Sequence, residues 1–192
     1  MTPPDPYAEL KDRQRRMREP FEVRPATAVD VPALVTLVNS AYRGDSSRAG
    51  WTTEADLLDG IRIDEERLHA IVGSPDMNVV LVHERNAAIL ASVHLERTGA
   101  GCYLGMLTTA PVRQGQGLGR QMIAAAEDWA RERWRAREMH MTVLVQRAEL
   151  LAWYERRGYT RTGVTKPFPY GDERWGLPKR ADLAFEVLRK RL

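Results

Sequence analysis

Between Cys102 and Trp134 the sequence runs through an alternating apolar stretch, CYLGMLTT, then Ala110-Pro111, then VRQGQGLGRQ, then MIAAAEDWARERW. Leu118, Met122, Ala126 and Trp129 recur at helical spacing, so the segment reads as a strand, a proline stop and a glycine-rich turn opening directly into a helix. The rest of the chain has to be arranged around this unit. Gly115, Gly117 and Gly119 alternate, which lets the backbone take positive φ and bring bare N–H groups close to a ligand, while the helix end adds roughly half a positive charge. Such a mouth suits an anion, and a pyrophosphate in particular.

Two familiar phosphate motifs do not fit. A P-loop closes on Gly-Lys-Ser/Thr, whereas this turn closes on Gly119-Arg120-Gln121. The dinucleotide fingerprint needs G-x-G-x-x-G with an acid about twenty residues further on, and that spacing is absent. A glycine turn taken alone is also an ordinary tight connection, so the remainder of the sequence has to decide.

At 192 residues, 43% hydrophobic and 29% charged, the chain has the material for one core and a tail. No apolar run approaches a bilayer-spanning length, and MTPPDPYAELKDRQRRMREP lacks the apolar centre of a secretory signal, so the cytoplasm is the expected location. The single cysteine, Cys102, excludes an internal disulfide, and at the head of an apolar strand it reads as a buried thiol rather than a nucleophile. Four histidines without ligand spacing give no reason to expect a metal. A net charge of +3 is too small to argue for nucleic acid. Its distribution is uneven: Pro111 to Arg161 holds ten arginines against six acids, and Asp45 to Glu66 seven acids against two arginines. These are either two solvated faces or a basic half for an anionic cofactor beside an acidic rim for a cationic substrate.

Residues 1–20, polar and proline-marked, read as a frayed arm or short surface helix, and 21–192 as a single domain. Phe21 to Pro25 alternates as a first strand; Thr27 or Asp30 caps a helix with Leu34, Leu37, Val38, Ala41 and Tyr42 on one face. A loop from Arg43 to Gly50 leads to a short helix capped by Thr52 or Thr53 and running through Glu54 to Leu58. A further helix starts at Asp64 and stops at Gly73. Three strands follow, at 78–84, 89–96 and 102–109, joined by Arg85-Asn86 and by Thr98 to Gly101 in hairpin fashion and therefore antiparallel. After the glycine-turn helix, 139–145 should run parallel to the strand before the turn. A helix from Ala148 to Arg157 ends at Gly158, and strands at 159–165 and 182–188 complete the order βααβββαβαββ.

That order, together with Gln114-x-x-Gly117-x-Gly119 after a strand and Pro111, resembles the GNAT superfamily of N-acetyltransferases from about Phe21 to Leu188. The resemblance implies an α/β fold with a mixed, mostly antiparallel central sheet flanked by helices and splayed between its fourth and fifth strands. It implies acetyl-CoA as co-substrate, no metal, and transfer of acetyl directly to a primary amine on a small molecule or peptide. Neither nucleic acid nor membrane is implied, and a homodimer is left open. The pyrophosphate contacts map to Gln114, Gly115, Gln116, Gly117, Leu118, Gly119 and Arg120, and the backbone donors around the acyl group to Leu107, Thr108 and Thr109.

The helix Leu150-Leu-Ala-Trp-Tyr-Glu-Arg-Arg-Gly158-Tyr159 is similar to the family helix whose tyrosine faces the CoA sulfur, which makes Tyr154 the expected acid. A phenol near pKa 10 stays protonated at neutral pH and is matched to a thiol near 8.5. Arg147 stands where the family has asparagine, and Leu150 where it has alanine, so Arg147 is the candidate for the pantetheine contact. His94 and Glu96, two apart on the neighbouring strand, are candidate bases. Tyr42, Asp45, Trp51, Glu54, Phe168, Tyr170 and Asp172 supply aromatics and acids suited to a cationic amine. A non-catalytic acyl-CoA binding or sensing module is the alternative, and competition by ATP or NAD would point to a general nucleotide binder.

Overall fold

The computed structural model describes residues 22–74, 78–85 and 88–192, so the N-terminal arm expected at 1–20 and part of the Arg85-Asn86 connection lie outside the described residues. Seven strands form one sheet in the order β1-β3-β4-β5-β6-β9-β7. They are β1 (Glu22–Pro25), β3 (Asn78–Arg85), β4 (Ala88–Thr98), β5 (Gly101–Thr109), β6 (Glu138–Leu144), β7 (Thr160–Pro167) and β9 (Ala184–Arg191). Every pairing is antiparallel except β5 with β6, as a strand–helix–strand crossover requires.

Alternation along β3 builds a core on each face of this sheet. Val79 and Leu81 join Leu118, Met122, Ile123 and Ala126 of α3 (Leu118–Trp134), with Leu151 and Tyr154 of α4 (Ala148–Glu155). Val80 and Val82 instead join Val31, Leu34 and Val38 of α1 (Val31–Tyr42) and Leu68 of α2 (Glu65–Val72). This period of two is what lets one strand serve two cores. Among the described residues no helix is long and apolar enough to cross a membrane.

One expected element is different. The helix read at Glu54–Leu58 is a single turn, closed by Leu57 and Leu58 N–H groups on the Glu54 carbonyl. It passes into a two-residue strand β2 (Leu58–Asp59), which pairs with β8 (Leu177–Pro178). Five residues are too few to propagate a helix unaided, and Gly60 at φ 79° turns the chain away. The long connection before β9 is therefore tied down by β8 and a one-turn 3-10 helix at Glu173–Trp175.

β5 and β6 pair only at Cys102↔Met139 and Tyr103↔His140, then part. On its other edge β5 carries an extra residue opposite β4, where the register shifts between Ser92 and His94 and Met106 takes φ 46°. Beyond Tyr103 the β6-facing edge of β5 has no ladder partner in β6, and the site opens in this gap.

Candidate active site

At one end of the gap lies the glycine turn. Gly117 caps α3 in the left-handed conformation, φ 87°, and Gly115 is at φ 77°; a Cβ at either would meet no atom, so it is backbone conformation rather than space that calls for glycine. Gly119 differs, because a Cβ there would come within 3.3 Å of the Trp153 ring. No acidic side chain occupies the first turn of this 17-residue helix, so its positive end is uncompensated. A cavity of ≈ 330 Å³ over the turn is lined by Gly115, Gly117, Leu118, Gly119, Arg120, Thr109 and Arg157.

Arg157 lies with its guanidinium carbon 3.4 Å from the Trp153 ring centre and donates to the Trp153 carbonyl at 2.6 Å, while its Nε is buried without a partner among the described residues. Burial and the neighbouring Arg156 and Arg120 charges push its pKa down, the mark of cations lacking an anion. Bare amides, a helix end and guanidinium groups with no carboxylate partner among the described residues are a donor set that fits a diphosphate.

The Gln114 side chain is engaged elsewhere, accepting from the Trp51 N–H at 2.9 Å and donating to the Thr109 carbonyl at 3.5 Å. Trp51 thereby sits beside the turn, 6.4 Å from Trp153, and lines the cavity over it. Gln116 is exposed on the turn itself.

At the other end of the gap is a smaller cavity of ≈ 60 Å³. Tyr154 lines it, with its ring edge-on to Trp153 and Tyr159 at 5.1 and 5.8 Å. Burial pushes the Tyr154 hydroxyl well above the ordinary phenol range, and it has no hydrogen-bond partner among the described residues. It is a protonated donor with no acceptor among the described residues. Leu107 lines both cavities, and its carbonyl accepts from the Tyr42 hydroxyl at 2.9 Å. Thr108 is buried, with its hydroxyl donated to the Met106 carbonyl at 2.9 Å.

A buried ion network closes this second cavity. Arg147 Nη1 donates to Glu54 Oε1 at 2.7 Å and its Nη2 to Thr52 Oγ1 at 2.8 Å, while Arg43 Nη1 donates to Glu54 Oε2. Burial acts to raise the Glu54 carboxyl, but the Arg147, Arg43 and Arg62 charges outweigh it and hold the group below the usual carboxylate range. Arg147, expected against pantetheine, is thus committed to Glu54, and Glu54, expected to meet a cationic amine, is committed to two arginines.

Neither candidate base lines either cavity. Glu96 is exposed, and His94 is buried with Nε2 donating to Asn78 Oδ1 at 3.0 Å. Burial, with Arg62 adding to it, brings the His94 imidazole down to about 4, which makes it a weak proton acceptor. Tyr170 pins its own loop, accepting from the Leu183 N–H at 2.7 Å and donating to the Arg180 carbonyl. Asp45 faces solvent beside Arg48, and Asp172 caps the turn at Glu173–Trp175 while pairing with Arg174, whereas Phe168 does reach the smaller cavity.

Four cavity residues carry no local sequence signal. Arg43, Arg62, Tyr103 and Thr142 come from separate segments, Tyr103 and Thr142 bridging the parting strands through their hydroxyls at 3.0 Å. Only the assembled fold brings them together. Cys102 is fully buried and its thiol is pushed up to about 12 by burial, so it supplies no nucleophile.

Residues 37–159 match the sequence model of the acetyltransferase (GNAT) family. No curated protein matches the chain. Among solved structures, a ribosomal-protein-alanine N-acetyltransferase from Brucella melitensis is similar at TM-score 0.67 and 22% identity over 89% of this chain and 99% of its own. So is yncA from Salmonella typhimurium with its cofactor acetyl-CoA, at 0.67 and 20% over 91% and 95%. A PaiA N-acetyltransferase from Thermoplasma acidophilum in complex with coenzyme A is similar at 0.65 and 13% over 90% and 99%. At these identities the structures establish the fold, and it is the family match across 37–159, around a parted β5/β6 pair with a glycine mouth at one end, that shows what the chain is: a member of the GNAT acetyltransferase family.

Proposed function

We propose that the protein transfers an acetyl group from acetyl-CoA directly to a primary amine. The observation that carries this reading is the gap between β5 and β6, which has an anion cradle at one end, a polar cavity at the other, and Leu107 lining both. The turn amides of residues 115–120, with Arg120 and Arg157, would hold the diphosphate. The free edge of β5 at Leu107, Thr108 and Thr109 would orient the acyl group, and fixed N–H donors in a dry site favour charge developing on its oxygen. When bound, acetyl-CoA supplies an acetyl group activated as a thioester.

The acceptor nitrogen forms its C–N bond as the C–S bond breaks, with sulfur taking the electron pair. The ammonium form of the acceptor gives up two protons in all; one ends on sulfur and one in solvent. Tyr154 is the residue assigned to protonate sulfur, because its hydroxyl is protonated, buried and without a hydrogen-bond partner among the described residues. With His94 a weak acceptor and Glu96 exposed, the first amine proton leaves through water.

The test is release of free thiol from acetyl-CoA with a panel of amines. Tyr154→Phe should lower kcat by about a hundredfold or more, in the range of general acid contributions, with KM for acetyl-CoA nearly unchanged. Undiminished turnover would remove Tyr154 from the mechanism. The placement of His94 and Glu96 outside the lining of either cavity favours one second reading, an acyl-CoA sensor. Calorimetric binding of coenzyme A without thiol release on any amine would select it.

A further inference from the structure

The acceptor side of the gap is electrostatically lopsided in a way the acetyl-transfer reading does not require. Three guanidinium groups, Arg43, Arg62 and Arg147, line the smaller cavity against one carboxylate, Glu54, and each Glu54 oxygen is already taken, one by Arg43 and one by Arg147. Two positive charges are left over. The Nε atoms of Arg43 and Arg147 are buried and have no partner among the described residues, and Arg43 is only 6% exposed. Arg62 makes no side-chain hydrogen bond or ion pair among the described residues; its guanidinium carbon stands 5.6 Å from the centre of the Tyr42 ring, with Arg147 at 5.9 Å from the same ring. The side chains of Arg43 and Arg147 are largely buried and hold one positive charge more than Glu54 neutralises, half-buried Arg62 adds a second, and such a surplus is costly unless an anion joins it.

We propose, on the basis of the acetyl-transfer reading above, that the acceptor is a small amine that also carries a carboxylate, of the free amino-acid type, and that Arg62 with the Arg43–Arg147 pair binds that carboxylate. Guanidinium forks match a carboxylate in two-point geometry, and the Arg62 fork, which has no hydrogen-bond or ion-pair partner among the described residues, is open to such a ligand. The size agrees: ≈ 60 Å³ is far below the roughly 300–1,000 Å³ of sites for drug-sized ligands. A purely cationic acceptor would meet three like charges against the single carboxylate, Glu54, that the acidic stretch 45–66 brings to the cavity. The same surplus lowers the pKa of a nearby ammonium group, favouring the neutral amine without a dedicated base. The pKa of His94 already feels Arg62 in that direction.

The experiment sets free amino acids against their amides, their decarboxylated amines and short peptides, in thiol release with acetyl-CoA and in calorimetric titration of the protein saturated with coenzyme A. The carboxylate forms should show kcat/KM at least about tenfold above the amides and decarboxylated amines. Arg62→Gln should raise KM about tenfold more for the carboxylate form than for the amide, with Arg62→Lys in between. Amides or plain amines acetylated as well as the amino acids, or an Arg62→Gln loss equal for both, overturns the proposal while leaving acetyl transfer standing. If coenzyme A binds and no amine of any class releases thiol, the transfer reading fails instead. Calorimetry then decides the carboxylate site alone: amino-acid binding that Arg62→Gln weakens supports it, and binding equal to that of the amides, or none, overturns it.

Discussion

The glycine mouth and the arginine-lined cavity occupy two ends of one gap, yet they are built by opposite means. The mouth is backbone: six consecutive residues, a left-handed Gly117 and a helix end, with a Cβ at Gly115 or Gly117 meeting nothing. The cavity is side chain: Arg43 closes α1, Glu54 sits in the turn before β2, and Arg147 precedes α4, joined by hydrogen bonds across more than ninety residues of sequence between Glu54 and Arg147. Amides in a local turn are in place once the turn forms, so that region tolerates change elsewhere. A buried ion network needs all its members at once. Binding at the mouth and folding stability around the cavity should therefore be separable.

The largest expected effect tests the cavity. Glu54→Gln leaves Arg43 and Arg147 buried without their counter-charge, and should cost about 3 kcal/mol in urea denaturation, with coenzyme A affinity little changed. The mirror experiment is Gly117→Asp. A carboxylate at the helix mouth repels a diphosphate, and like-charge contact costs several kcal/mol, so coenzyme A binding by calorimetry should weaken by about a hundredfold or more. Holding Asp at φ 87° costs only about 1–2 kcal/mol of stability, so the fold survives. If both variants lose stability and affinity together, the two regions are one cooperative unit and the contrast drawn above is wrong.

This division also explains what was legible in the sequence. The mouth could be read because its signal is consecutive: a strand, Pro111, alternating glycines and the Leu118–Met122–Ala126 stripe all fall inside one window. Strand order followed from hairpin connections and one crossover, down to the parallel β5–β6 pair. The segment from Glu54 to Leu58 was misread as helix because its conformation is imposed from outside, by β8 and by the arginines on Glu54. Arg43 and Arg62 gave no warning: one ends an amphipathic helix and the other follows Gly60-Ile61 in a loop, both ordinary places for a solvated cation. His94 and Glu96 do share strand parity, but parity cannot tell that Asn78 holds one inside while the other reaches solvent.

A smaller effect probes the wall behind the cavity. The His94 imidazole has its pKa lowered to about 4 in the folded protein, against about 6.5 unfolded, so below pH 6.5 the unfolded chain binds a proton the folded one refuses. Stability is full above about pH 6.5 and is lost as pH falls toward about 4. Between about pH 6.5 and about pH 5 the loss should be about 2 kcal/mol, above the range where carboxylates such as Glu54 begin to titrate. His94→Asn should flatten most of that slope in denaturation curves; His140, which burial also pushes down, keeps a remainder. An unchanged slope would mean that His94 titrates as it would in water and that the interior beside Arg62 is wetter than its burial implies.

The smallest change addresses the residue that touches both regions. Tyr42 lies near the guanidinium groups of Arg62 and Arg147 and donates its hydroxyl to the carbonyl of Leu107, the residue shared by the two cavities. Tyr42→Phe keeps the ring against the arginines and removes only the hydrogen bond, at about 1 kcal/mol of stability. If the hydroxyl fixes the β5 edge where the acyl group is proposed to lie, kcat should fall several-fold while both KM values hold, since misplacement costs rate more than affinity. If kcat is unchanged and only stability drops, Tyr42 is a brace within the arginine cluster, and the mouth and the cavity are coupled through the backbone of β5 alone.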